Sequence, residues 1–148
     1  MSIRRFRKGD EAVVLELANT YASFDGTTSE ADLAITGQFP AGFLVAEEGG
    51  TIVGFAYGYF RDIPGEVLER WQAVKVGHVA LMAVAPGQRR RGIGTALLDR
   101  LLAEFRKAGA NMITLDCPAE ATEAKTLYEK MGFVPRYSEM KRRLVAEM

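Results

Sequence analysis

The sequence predicts an α/β (α+β) fold in which one mixed sheet carries helices on both faces. Segments rich in β-branched and aromatic residues alternate with segments of helical periodicity, in the order β, α, α, β, β, β, α, β, α, β. The chain has 148 residues, enough for one domain to bury roughly 70% of the surface that its unfolded form exposes. We find no internal repeat, linker or low-complexity segment, so we expect residues 1–148 to form a single domain.

Composition restricts the compartment and the partners. Lys and Arg total 19, and Asp and Glu also total 19, so no overall positive field attracts nucleic acid. No apolar run approaches the roughly 18 residues of a membrane span, and the N-terminus lacks the apolar segment of a signal peptide. The single cysteine, Cys117, excludes an intramolecular disulfide, and the single histidine, His78, disfavours a His/Cys zinc site. We therefore predict a cytoplasmic monomer or homodimer that binds no membrane, nucleic acid or metal.

The first half of the chain predicts three strands and two helices. Ile3 and Phe6 indicate an edge strand, and Gly9-Asp10 offers a cap for a helix with one apolar face. Ser29 is placed to cap a second, short helix. Residues 43–60 form a predicted hairpin around a glycine turn, because two β-rich runs flank Glu-Glu-Gly-Gly.

The second half alternates helices with strands. A helical turn is expected within the connection 61–74, and the tail 133–145 is expected to hold one or two short strands. The four most regular segments between them are a central strand, a helix, a short strand and a helix, at Lys75–Val84, Gly92–Lys107, Met112–Cys117 and Thr122–Met131.

The segment Val84–Thr95 joins the central strand to the most regular helix and contains three arginines and three glycines. Free amides and the positive end of the helix dipole favour an anion here, and glycine lets a phosphate approach the backbone. A dinucleotide fingerprint is disfavoured because Leu97 occupies the third glycine position and residues 86–91 separate the strand from the first glycine. A P-loop is excluded because no Gly-Lys-Ser/Thr follows. The segment therefore predicts an anion site of another kind.

Two motifs lie in the second half of the chain. The first is Arg89-x-x-Gly92-x-Gly94, preceded by Val84-Ala-Pro and followed by a Leu-Leu helix. The second is Ala124-x-x-x-Tyr128-x-x-x-Gly132-Phe133. Both resemble motifs of the GNAT family of N-acetyltransferases, and the order of the predicted elements agrees with this family over roughly residues 1 to 145.

The resemblance implies a mostly antiparallel sheet that splays between its fourth and fifth strands, and the transfer of acetyl from acetyl-CoA to a primary amine. The diphosphate is expected on the amides that begin the helix, and pantetheine is expected beside the central strand. A backbone N–H near Met82 would polarise the acetyl carbonyl. The implied cofactor-binding residues are Met82, Ala83, Val84, Arg89, Arg90, Arg91, Gly92, Ile93, Gly94 and Thr95, with no metal.

For proton transfer, the resemblance implies that Tyr128 protonates the leaving thiolate. Packing against its apolar neighbours is the alternative role for this side chain. The base that takes the amine proton is either His78, on the central strand, or Asp116, where ribosomal-protein N-terminal acetylases carry a glutamate. Each of these also has a structural alternative, as a hydrogen-bonded strand histidine and a capping carboxylate. Ala121 stands where many family members have an asparagine that contacts the cofactor.

The acceptor is less defined by the sequence than the donor. A small-molecule amine and a peptide N-terminus both remain open. Candidate lining residues lie in the first helices, the hairpin and the 61–74 connection, where loops vary most. The aromatic candidates are Tyr21, Phe24, Tyr57, Tyr59 and Trp71, and the acidic ones are Asp25, Asp62, Glu66 and Glu69. A non-catalytic acyl-CoA-binding sensor is the rival function.

Overall fold

In the computed structural model of the chain, the structure describes residues 1–21, 38–88 and 91–144. The strands are β1 (Ser2–Arg5), β2 (Phe43–Glu48), β3 (Thr51–Phe60), β4 (Val76–Val84) and β5 (Met112–Leu115). The helices are α1 (Glu11–Tyr21), α2 (Gly65–Trp71), α3 (Ile93–Lys107) and α4 (Thr122–Lys130). Short 3-10 turns cover Pro40–Gly42 and Pro86–Gln88.

The five strands form one mixed sheet in chain order, with β1 at its edge. Neighbours from β1 to β4 pair antiparallel, and β5 pairs parallel to β4. The pairing of β4 with β5 covers only Val76–Val79 on β4, which continues to Val84. The mixed, mostly antiparallel sheet is confirmed, and this short parallel ladder is consistent with the predicted splay.

A bulge changes the register within β4. Tyr57 pairs with Leu81, whereas the next residue, Gly58, pairs with Val79. Ala80 is therefore an extra residue on β4, and such a residue bends its strand and increases the local twist. The bulge lies where the ladder with β5 ends, so the two halves of β4 have different surroundings.

Helices cover both faces of the sheet because side chains alternate along β3. Phe55 and Tyr57 pack in the buried cluster that contains the apolar side of α1. Gly54 and Gly58, which flank these two residues, face α3. A Cβ built on Gly58 or on Gly77 of β4 would lie 2.6 Å from the ring of Phe105. These glycines allow that fully buried ring to pack directly against the sheet.

The start of α1 is held by an ion-pair cluster. The carbonyl of Asp10 accepts the N–H of Val14 (3.1 Å), which confirms Asp10 as the capping position. Its carboxylate accepts two hydrogen bonds from Arg4 (2.8 and 3.1 Å) and one from the Arg7 amide (2.9 Å). Arg4 also donates to Glu47 of β2 (2.7 Å), so the cluster ties α1 to the sheet.

Two predictions from the sequence have other outcomes. The short helix capped by Ser29 falls within residues 22–37, outside the described part of the chain. The predicted tail strands are wrong for residues 133–144, which form no strand. The apolar residues of this segment recur every three or four positions and are 72% to 91% exposed, whereas a strand buries a face that repeats every two. They are Val134, Tyr137, Met140 and Leu144.

The chain divides into two compact units, Met1–Pro118 and Ala119–Met148. The first contains the sheet with α1, α2 and α3, and the second contains α4. The prediction of one domain is not tested by this division. No helix in the described ranges has the length and apolarity needed to span a membrane.

Candidate functional site

The N-terminus of α3 has the features of the predicted anion site. Gly92 occupies the N-cap position with φ of 79°, a left-handed conformation that favours glycine, and it provides no side-chain cap. Its carbonyl accepts the N–H of Ala96 (2.9 Å), so the amides of residues 93–95 precede the first intrahelical donor. The first turn contains no acidic residue. Uncapped amides and the helix dipole therefore meet here without a competing carboxylate.

The arginines of this loop are only partly described. Arg89 and Arg90 lie outside the described residues. Arg91 donates two hydrogen bonds to the carboxylate of Glu48, from Nη2 to Oε1 (2.7 Å) and from Nη1 to Oε2 (2.8 Å), and it also contacts the amide oxygen of Gln88. Arg91 lowers the pKa of Glu48 by hydrogen bonding and by its charge. The Arg91 side chain thus ties the loop to the end of β2.

The second half of β4 directs a backbone amide away from β3. Ala85 donates its N–H to the Val53 carbonyl (2.9 Å) across the β3 ladder. Amides point to alternate edges along a strand, so the N–H of Met82 points to the opposite edge. On that edge, β5 pairs with β4 only as far as Val79. The predicted acetyl-binding amide therefore faces the side on which the ladder has ended.

His78 and Asp116, the two candidate bases, lie together. His78 is opposite Thr114 in the parallel ladder, and its Nδ1 lies 2.7 Å from the Thr114 hydroxyl. Its Nε2 lies 3.7 Å from Oδ2 of Asp116. The His78 side chain is 13% exposed and the Asp116 side chain is 82% exposed. The ring of Tyr59, its partner on β3, is 5.4 Å away.

The surroundings of His78 favour its neutral form. Burial lowers the pKa of the imidazole below its ordinary value of 6.5, and the charge of Arg61 acts in the same direction. Asp116 opposes the shift without reversing it. A neutral imidazole has one nitrogen able to accept a proton, and the hydrogen bond at the other nitrogen determines which one it is. His78 can therefore act as a base near neutral pH.

Arg61 and Thr114 were missed by the sequence analysis. Arg61 donates from Nη1 to the Thr114 hydroxyl (3.1 Å), and its guanidinium carbon lies 5.6 Å from the centre of the Trp71 ring. No sequence signal marks either residue, because a threonine in a strand and an arginine after one are common. The pairing of β4 with β5 brings Thr114 to His78, and the pairing of β3 with β4 brings Arg61 there.

The remaining acceptor candidates divide among core, surface and undescribed positions. Tyr57 is buried in the core, and its ring lies 5.4 Å from that of Phe43. Asp62, Glu66 and Glu69 are exposed. The side chains of Tyr21, Phe24 and Asp25 fall outside the described part of the chain.

In the second unit, Tyr128 lies near the end of α4. Its side chain is half-buried, and its ring meets that of Phe133 edge-on, with centroids 6.0 Å apart. The Tyr128 carbonyl accepts the Phe133 amide (3.0 Å) around Gly132, whose φ is 91°. Ala121 is the N-cap residue of α4 and makes no side-chain cap. The motif residues thus form the end of a helix and its turn.

Within residues 1–21, 38–88 and 91–144, no three His, Cys, Asp or Glu side chains are grouped to hold a metal ion. Cys117 is half-buried, with its sulfur 3.7 Å from the carbonyl of Pro118.

Known proteins share this sequence pattern and this fold. The family model described as Acetyltransferase (GNAT) family matches residues 12–133. The chain is 31% identical over 145 residues to the L-amino acid N-acyltransferase MnaT of Escherichia coli, covering 90% of this chain and 80% of that protein. It is 35% identical over 100 residues to the L-2,4-diaminobutyric acid acetyltransferase of Nocardia farcinica, covering 68% of this chain. The crystal structure of Ard1 from Thermoplasma volcanium has a TM-score of 0.75 and 29% identity, covering 92% of this chain and 84% of that chain.

The match to longer relatives is partial. The chain spans 47% of the Nocardia protein and 30% to 44% of two mycothiol acetyltransferases that it also matches. The family model nevertheless covers most of the chain, and α3 begins at Gly92, as the first motif predicts. The chain therefore belongs to the acetyltransferase (GNAT) family.

Proposed function

We propose that the protein transfers acetyl from acetyl-CoA to a primary amine by direct attack in a ternary complex. The observation that carries this proposal is the uncapped N-terminus of α3 at the motif Arg89-x-x-Gly92-x-Gly94. Acetyl-CoA supplies an activated thioester, and the amides of residues 93–95 hold its diphosphate. The remaining cofactor contacts are assigned to Met82–Val84 on β4 and to the backbone from Arg89 to Gly92. Such a protein acts in the cytoplasm.

The amine must lose a proton before it attacks. An alkyl amine has a pKa near 10, so reaching its neutral form at pH 7 costs about 4 kcal/mol unless the site accepts the proton. We assign this role to His78, through water or directly, because burial keeps its imidazole neutral. The nearby carboxylate of Asp116 stabilises the imidazolium once it forms.

Two further groups serve the acetyl transfer. The N–H of Met82 donates to the acetyl oxygen as negative charge develops there, and a fixed amide is well suited to this task. The hydroxyl of Tyr128 donates a proton to the leaving thiolate. The support for Tyr128 is its place in the family motif, Ala124-x-x-x-Tyr128-x-x-x-Gly132-Phe133.

The acceptor is a small-molecule amine or a peptide N-terminus. The relatives include proteins named for L-amino acids and for L-2,4-diaminobutyric acid, and the N-alpha-acetyltransferase of Sulfurisphaera tokodaii is 33% identical over 97 residues. These names support both classes of acceptor.

A panel of amines, amino acids and peptides with acetyl-CoA tests the proposal, with release of the free thiol as the readout. Steady release with at least one acceptor is the expected result. Tight binding of acetyl-CoA without turnover across the panel would instead establish the acyl-CoA sensor.

The Tyr128→Phe variant tests the proposed acid. General acids contribute typically about 100-fold to 10,000-fold to a rate, so we expect turnover to fall toward the lower part of that range. The affinity for acetyl-CoA, measured by calorimetry, is expected to stay unchanged because the ring is retained. Equal turnover in the variant and the wild type would remove Tyr128 from the chemistry.

A further inference from the structure

Arg61 is held in a defined position beside His78. Its backbone N–H donates to the carbonyl of Val76 (2.9 Å), which continues the β3–β4 pairing past the end of β3. Its guanidinium is held by the hydroxyl of Thr114 on one side and the ring of Trp71 on the other. The three residues come from β5, from α2 and from the end of β3. An exposed side chain anchored at two points loses less freedom when a ligand binds.

The positive charge of Arg61 is not neutralised within the described part of the protein. The single hydrogen-bond partner of its guanidinium there, the Thr114 hydroxyl, is neutral, and no carboxylate of the described residues lies within ion-pair distance. Arg4, Arg91 and Arg100 each have such a partner. The carboxylate of Asp116 lies against Nε2 of His78 instead. Arg61 therefore presents an available fork of donors next to the proposed base.

The two charged groups beside His78 have opposite signs. The carboxylate of Asp116 favours an incoming ammonium group and the imidazolium, whereas the guanidinium of Arg61 opposes both. An acceptor that carries a carboxylate beside its amine offers each of these two groups a partner. A planar guanidinium also matches a carboxylate through two parallel hydrogen bonds.

We propose that Arg61 binds the carboxylate of the acceptor and that the acceptor is a free amino acid. Hydrogen bonds of 3.1 and 2.7 Å join the guanidinium and the imidazole to the same hydroxyl, that of Thr114, so one small acceptor can contact both side chains. A peptide N-terminus has no carboxylate at that place. This inference rests on the proposed function, whose acceptor site it defines.

The test compares amino acids with their primary amides, in which the charge is removed and the shape is kept. Wild-type kcat/KM is expected to be about 10-fold to 100-fold higher for the acid than for the amide, the range of one charged hydrogen-bonded contact. Arg61→Gln is expected to remove this preference by lowering kcat/KM for the acid alone. Arg61→Lys, which keeps the charge without the fork, is expected to restore part of it.

Arg70→Gln is the matched control, since Arg70 is an exposed arginine in the last turn of α2, and it is expected to keep the wild-type preference. Equal rates for acid and amide in the wild type, better rates with peptides, or an equal loss for both acceptors in Arg61→Gln would overturn the inference while leaving the proposed function intact. Binding of acetyl-CoA with no thiol release for any acceptor would overturn both. Where Arg61→Gln fails to fold, the wild-type acid-to-amide ratio still tests the acceptor class, and the smaller ratio expected for Arg61→Lys tests the residue.

Discussion

Two arginines at different places on the sheet are used in different ways. Arg91, in the loop before α3, forms a two-point ion pair with Glu48, so its charge is balanced inside the protein. Arg61, after β3, is held by a hydroxyl and an aromatic ring, and neither of these balances its charge. The first arginine therefore stabilises a loop, whereas the second remains able to attract an anion. The partner of an arginine, and not its presence in a motif, determines which role it has.

The largest expected effect belongs to the base beside Arg61. His78→Gln removes the proton acceptor, so we expect kcat/KM to fall by about 100-fold or more, typical of general-base catalysis. The pKa of His78 is lowered by burial, so wild-type activity should hold at neutral pH and fall only as pH drops below about 6.5. The pH profile of kcat/KM is the measurement. An unchanged acidic limb in His78→Gln would assign the base to Asp116 or to another group.

A third arginine, Arg4, has a buried partner, Asp10. Arg4 and the Arg7 amide lower the pKa of Asp10, whose carboxylate is mostly shielded from water. Asp10 therefore contributes stability above its unfolded pKa and loses it as pH falls through its lower folded value. We expect Asp10→Asn to lower the free energy of unfolding by about 1 to 2 kcal/mol at pH 7.

Denaturant unfolding at several pH values measures this effect. The difference between wild type and Asp10→Asn should shrink at acid pH, once Asp10 is protonated in both folded and unfolded chains. Asp99→Asn is the matched control, because Asp99 is exposed on α3. A pH-independent difference would show that the cap geometry, and not the charge, stabilises the start of α1.

The smallest expected effect is at the pair between Glu48 and Arg91, which is exposed to solvent. Glu48→Arg or Arg91→Glu alone should weaken CoA binding a few-fold by releasing the loop, and the combined exchange should restore part of the affinity. Calorimetry with CoA measures all three variants. If the exchanged pair binds as poorly as Arg91→Glu alone, the Arg91 guanidinium contacts the cofactor itself, and the contrast with Arg61 disappears.

Local patterns account for the parts of this protein that were predicted correctly. The helical periodicity of α3, the glycine turn between β2 and β3 and the cap at Asp10 each depend on neighbouring residues. The uncapped helix start could be predicted for the same reason, since the helix begins at Gly92. The tail strands were wrong, because apolar spacing there does not match a strand and no local signal replaces it.

Tertiary structure alone decided which side chains meet. Glu48 and Arg91 are 43 residues apart, and His78 and Thr114 are 36 apart, so no local pattern links them. Their contacts depend on the parallel pairing of β5 with β4 and on the closeness of the β2 end to α3. A shift of one residue in strand register would turn each side chain to the other face. The sequence by itself determined most of the elements and the uncapped helix start at Gly92, and the long-range register of the sheet decided how His78, Asp116 and Arg61 are grouped.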